Sequence, residues 1–109
     1  MDAIEAFRTL ELRVGRITKV EPHEQARKPA YKLWIDFGST GTKASSAQLT
    51  ELYRPEELLG RMVVAAMNLG SRRIAGFVSE VLVLGVPDGA GRVVLLAIER
   101  EAPPGGRVF

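Results

Sequence analysis

The chain has 109 residues, 46% of them hydrophobic and 26% charged, with no cysteine and a formal net charge of +2 at pH 7. Those values fit one folded domain, spanning residues 1–109, and exclude a disulfide framework, a disordered polyelectrolyte and a second domain of ordinary size. No apolar run approaches the roughly 20 residues that span a bilayer, and MDAIEAFRTL lacks the basic start of a secretory signal, so a cytoplasmic, non-inserted protein is expected.

Asp2-x-x-Glu5 has capping-box spacing and predicts a short N-terminal helix over residues 1–9. Ile4 and Phe7 share one side of it, to pack on the body of the protein or on another subunit. From Leu10 to Val20 the residues alternate as a strand, with Leu10, Leu12 and Val14 on one face; the phase slips after Gly15, which predicts a bulge there. Arg13, Arg16 and Lys19 give this strand a solvated positive side.

Residues 21–30 read as a loop, and its histidine, His23, between Glu21 and Glu24, reads as solvated surface. With neither cysteine nor a second histidine, no metal site is expected. Tyr31 to Phe37 is the cleanest strand, with Tyr31, Leu33, Ile35 and Phe37 inward and Lys32, Trp34 and Asp36 outward. Trp34 on the polar face could stack on a base, fill a subunit contact or lie beneath the N-terminal segment.

GSTGTK, residues 38–43, lacks the spacing of a phosphate loop and predicts a glycine turn into a polar strand, KASSAQL. Pro55, Glu56 and Glu57 open a short helix that Leu58 and Leu59 anchor and Gly60 stops. Met62 to Met67 is apolar at every position and so must be covered on both faces. Val81–Val86 and Val93–Ile98 are further apolar strands, separated by a Pro87-Asp88-Gly89 turn. Their surplus apolar surface predicts a homodimer, with residues 87–109 as a C-terminal extension at the contact.

Between these strands, NLGSRRIAGF forms a cationic loop. Arg72 and Arg73 beside Ile74 and Phe77 suit non-covalent holding of a partner: a polyanion through the arginines, or an extended polypeptide through both residue types. No nucleotide loop, nucleophile–base pair or catalytic carboxylate pair is present, so an enzyme, a catalytic residue or a cofactor is not expected.

LELRVGRITKVEPH, KLWIDFG, YRPEELLGRMVVAAMNL and RRIAGFVSEVLVLG, in that order, resemble the tRNA-binding domain family. Its members include stand-alone dimers and domains appended to methionyl- and tyrosyl-tRNA synthetases. ARKPAYKLWIDFG, KASSAQLT and RRIAGFVSEVLVLG resemble more closely a branch of small bacterial proteins described as export-related chaperones.

The resemblance implies an all-β OB-fold, a five-stranded Greek-key barrel with short helices and with N- and C-terminal segments that form a homodimer. It also implies binding of unfolded protein precursors and of an export ATPase, and, in the wider family, of tRNA. The peptide-binding expectation rests on Ile74, Phe77, Arg72 and Arg73. The RNA-binding expectation rests on Asn68, Arg72, Arg73, Ser79, Lys43 and Trp34. The tRNA-binding pattern continues past the serine to glycine-methionine, where this chain has Glu80-Val81-Leu82. An acid beside the serine disfavours phosphate.

Overall fold

The computed structural model describes residues 1–109, and its sheet follows the alternation of β2 (Tyr31–Asp36). Leu33 and Ile35, and Phe37 just beyond the strand, are fully buried, while Lys32, Trp34 and Asp36 face the other way. β1 (Leu12–Pro22) pairs with β2 through its second half and with β4 (Met62–Ala66) through its first. β3 (Thr42–Ala47) lies beyond β2, and β7 (Leu82–Val83) lies beyond β4. The order β3-β2-β1-β4-β7, all antiparallel, curls into a nearly closed five-stranded barrel of the OB type, as expected. Ile17, Leu33, Ile35, Phe37, Val63 and Ala65 fill it.

The course of β1 differs from the sequence reading. A Cβ at Gly15 would lie 2.6 Å from both Ile35 Cγ2 and Phe37 Cε1, so residue 15 faces the core together with Ile17. Val14 faces outward, where the C-terminal segment covers it: its N–H donates to Gly106 O at 2.9 Å, and its carbonyl accepts from Gly105 N at 2.8 Å. The bulge therefore falls at Thr18, where the register to β2 shifts between Ile17 and Lys19. Gly15 is needed for closeness rather than for bending. Nor are the cations of β1 simply solvated. Arg13 donates to Gly105 O at 2.7 Å, Arg16 donates to Gly60 O at 2.8 Å and pairs with Glu101, and Lys19 pairs with Glu21 at 3.2 Å.

α2 (Pro55–Leu58) is a single turn, opened by Pro55, with the Arg54 N–H donating to the Glu57 carboxylate at 2.9 Å. That N–H holds the Glu57 carboxyl below the usual carboxylate range. Leu58 plugs the core, but Leu59 is 57% exposed and anchors nothing. β4 is covered on both faces, as its composition requires. The predicted strand 81–86 is broken: β7 pairs with β4, and β8 (Gly85–Pro87) leaves to pair with β9 (Val93–Leu95). β9 ends at Leu95, three residues short of the predicted strand, and Leu95 is buried with its N–H on Tyr53 Oη at 3.0 Å. Val86 and Leu96 of this hairpin region stay exposed.

α1 (Ala3–Thr9) is capped by Asp2, whose Oδ1 accepts from Glu5 N at 2.9 Å, yet none of its residues is buried. Ile4 and Phe7 are 54% and 41% exposed and line a groove of about 460 Å³ with Val108 and Phe109. No helix is long and apolar enough to cross a membrane.

Candidate ligand-binding face

The cationic segment is a hairpin, not a loop. β5 (Arg72–Ile74) and β6 (Phe77–Ser79) turn at Ala75-Gly76, both with positive φ (47° and 83°), the two-residue turn that matches strand twist. Its register pairs Arg72 with Ser79, Arg73 with Val78, and Ile74 with Phe77. Arg72, Ile74, Phe77 and Ser79 thus share one face, and Arg73 and Val78 take the other. The two arginines are both exposed but do not act as one doublet; Arg73 also reaches Gly76 O at 3.3 Å.

The inner face lies against the outer side of β2 and β3. Phe77 is half-buried, edge-on to Trp34 and to His23 with both centroid separations 5.6 Å, and Lys32 Nζ sits 5.3 Å from its ring centroid. Lys19 Nζ stands 4.8 Å from the Trp34 ring centroid. The partners of Trp34 are therefore Phe77 and Lys19, not the N-terminal segment. His23 departs most from its sequence reading. It is 2% exposed, its Nδ1 is 3.0 Å from Ser46 Oγ, and its Nε2 has no partner. Phe77 of the hairpin and Ser46 of β3, both far along the chain, meet its ring.

Ser79 and Glu80 fasten the hairpin to the edge of β3. The Ser46 N–H donates to Ser79 Oγ at 3.0 Å and the Ala44 N–H to Glu80 Oε1 at 2.9 Å, while the Glu80 N–H returns to Ala44 O at 2.8 Å. Two side-chain oxygens thus replace a strand ladder where the barrel closes. This uses the Glu80 carboxylate internally and satisfies edge groups that would otherwise be buried unpaired.

Two expected RNA contacts lie elsewhere. Asn68 accepts from Glu11 N at 2.9 Å and donates to Thr9 O at 2.8 Å, clamping the junction of α1 and β1. Lys43 is opposite Ile35, on the other face of the sheet from Trp34, whose neighbour on β3 is Ala44. Of the expected residues, the fold brings together Trp34, Phe77, Ile74, Arg72 and Ser79. It adds Lys32, Lys19, Ser46 and His23: Lys32 shares the alternation phase of Trp34, Lys19 lies on the positive side of β1 and Ser46 in the polar strand KASSAQL, whereas His23 reads as solvated surface. No three His, Asp or Glu side chains converge as a metal site would need. The cations, aromatic edges and small polar groups of this face can hold a guest.

The family described as "Putative tRNA binding domain" matches residues 12–107. The chain belongs to the tRNA-binding domain family. Among solved structures it is similar to the chaperone CsaA of Bacillus anthracis str. Ames, at 50% identity and TM-score 0.93, covering 100% of this chain and 99% of that one. It is also similar to the CsaA chaperone protein of Picrophilus torridus, at 42% identity and TM-score 0.92, with both chains fully covered. Among curated proteins, the methionine–tRNA ligase of Archaeoglobus fulgidus is 38% identical over 106 residues, 97% of this chain. The chain spans only 16% of that enzyme's length.

Proposed function

We propose that the protein is a non-catalytic, dimeric holding chaperone of the CsaA type, which binds unfolded protein precursors in the cytoplasm for delivery to an export ATPase. The observation that carries this reading is the end-to-end likeness to two CsaA chaperones, at 50% and 42% identity. Arg72 and Arg73 attract acidic or carbonyl-rich segments, Ile74 offers aliphatic contact, and Phe77 keeps the hairpin seated on Trp34 and His23. Holding of this kind needs no nucleotide. The exposed Ile4, Phe7 and Phe109, with Val86 and Leu96, supply apolar surface for a second copy, and two faces per particle would raise the effective concentration of a long client.

Phe77→Ala is expected to weaken capture of a fluorescent, chemically unfolded precursor by about five- to tenfold, the loss of roughly 1 kcal/mol of aromatic packing and the ordering it provides. Phe77→Leu should restore most of it. Capture by Phe77→Ala equal to that of the parent protein would remove the hairpin from the peptide site.

A second reading, tRNA binding, is favoured by the family match and by relatives among methionine–tRNA ligases. Its residues are Arg72, Arg73, Ser79 and Trp34, joined by Lys32 and Lys19. Asn68 and Lys43 contribute only if the ligand extends beyond the hairpin face.

A further inference from the structure

Two depressions flank Ile74 on the hairpin side of the barrel and share both Ile74 and Ser46. One, of about 260 Å³, runs toward Arg27, Lys28 and Gln48. The other, of about 300 Å³, runs toward Arg72, Leu69 and Leu82. They form one groove with a cationic end on each side of an aliphatic middle. We infer that this groove selects an extended peptide that carries an aliphatic side chain between two acidic ones. This deepens the peptide-binding reading above and rests on it.

Charge complementarity fixes the ends. Arg27 and Lys28 are exposed at one, and Arg72 is exposed at the other. No carboxylate lines either depression, because the Glu80 side chain is drawn away onto the Ala44 N–H. The middle is set by shape and polarity. Ala26 and Ala30 line one side, and Val81, Leu69 and Leu82 the other; Leu69 and Leu82 are 58% and 51% exposed, an apolar rim without a partner in the chain.

No aromatic ring lines the groove, since Trp34 and Phe77 turn edge-on to one another nearby. Proteins that hold single-stranded nucleic acid seat its bases by stacking them on such rings, so aliphatic walls favour a peptide side chain over a base. The guest does not add to the sheet as a further strand, because Ser79 and Glu80 already occupy the Ala44 and Ser46 N–H groups on the β3 edge. Recognition therefore falls on side chains. In an extended segment every second side chain points the same way, so an acidic–x–aliphatic–x–acidic pattern presents all three to the groove.

The test is fluorescence anisotropy with labelled Gly/Ser peptides carrying Asp-x-Leu-x-Asp, Lys-x-Leu-x-Lys or Asp-x-Ser-x-Asp. The first is expected to bind about tenfold or more tightly than either of the others. Arg27→Glu/Lys28→Glu and Arg72→Glu, all at exposed positions, should each weaken it by about five- to tenfold, and the triple variant should prefer the lysine peptide. Equal affinity for acidic and basic peptides, in a protein that still captures unfolded precursor, overturns the charge selection and leaves the chaperone reading standing. Failure to capture precursor at all sinks that reading and the groove with it. Displacement of the acidic peptide by oligouridylate at lower concentration than by unlabelled peptide assigns the groove to RNA instead.

Discussion

Truncating Phe37 to alanine is expected to lower the unfolding free energy by about 3–5 kcal/mol, the range for a fully buried aromatic whose site cannot collapse. Phe37 is fully buried at the end of β2, and its ring edge passes directly over the backbone of Gly15, where a Cβ would come within 2.6 Å of Cε1 and 2.7 Å of Cδ1. The same contact means that Gly15→Ala should itself cost about 1–3 kcal/mol by overpacking. The two positions are therefore coupled. Phe37→Leu makes room at residue 15, so the double variant Gly15→Ala/Phe37→Leu should be more stable than the sum of the single losses by about 0.5 kcal/mol or more. Urea denaturation of the four proteins measures this directly. Strict additivity would show that the ring and the glycine do not compete for the same space.

The second large effect is expected at the seam where the barrel closes. Ser79→Ala/Glu80→Ala removes the oxygens that accept from the Ser46 and Ala44 N–H groups, at 3.0 Å and 2.9 Å. A buried donor left unpaired costs about 1–3 kcal/mol, so the double variant, which strips two donors of their acceptors, should lose roughly 2–6 kcal/mol. Hydrogen exchange separates this from general loosening. The amides of Ala44 and Ser46 should exchange at least about tenfold faster relative to those of β2, which keep their ladder to β1. Glu80→Gln, which retains an acceptor oxygen, should preserve most of the protection at Ala44. Uniform acceleration across all strands in the double variant would mean that the seam holds the whole fold rather than the hairpin.

Glu80 illustrates what the sequence could not convey. As a letter next to Ser79 it reads as a charge that repels phosphate; in the fold it is a hydrogen-bond acceptor for an edge strand, and its neighbourhood is set by residues far away in the chain. His23 follows the same logic. Two flanking glutamates and a proline mark a solvated loop, yet the ring is buried, with the hairpin residue Phe77 edge-on to it and Ser46 of β3 on its Nδ1. Asn68 is an expected RNA contact through the family resemblance; in the fold both ends of its amide serve the α1–β1 junction.

What was legible followed local physics. The alternation of Tyr31–Phe37 fixes inside and outside for the central strand, the uninterrupted apolar run of β4 demands cover on both faces, and Pro55 and Gly60 bracket a one-turn helix. β1 shows the limit of the same reasoning. Its alternation was visible, but which face is the core was settled by Gly15, whose missing side chain contributes nothing to a hydrophobic pattern. The separation of Arg72 from Arg73 was hidden until their segment was known to be a strand, because only a strand sends neighbours to opposite sides.

The most direct measurement is a competition between a labelled unfolded precursor and labelled tRNA for the pure protein at about 50 mM and 200 mM salt. A chaperone face that works through aliphatic contact with cationic guidance should keep the precursor bound at both salt levels, with tRNA failing to displace it at the higher one. Phosphate-driven binding loses affinity with a slope of about 0.7–0.9 per contact, so tRNA should fade steeply between the two conditions. Precursor released at either salt by stoichiometric tRNA, or no precursor bound at all, would contradict the account and return the protein to RNA.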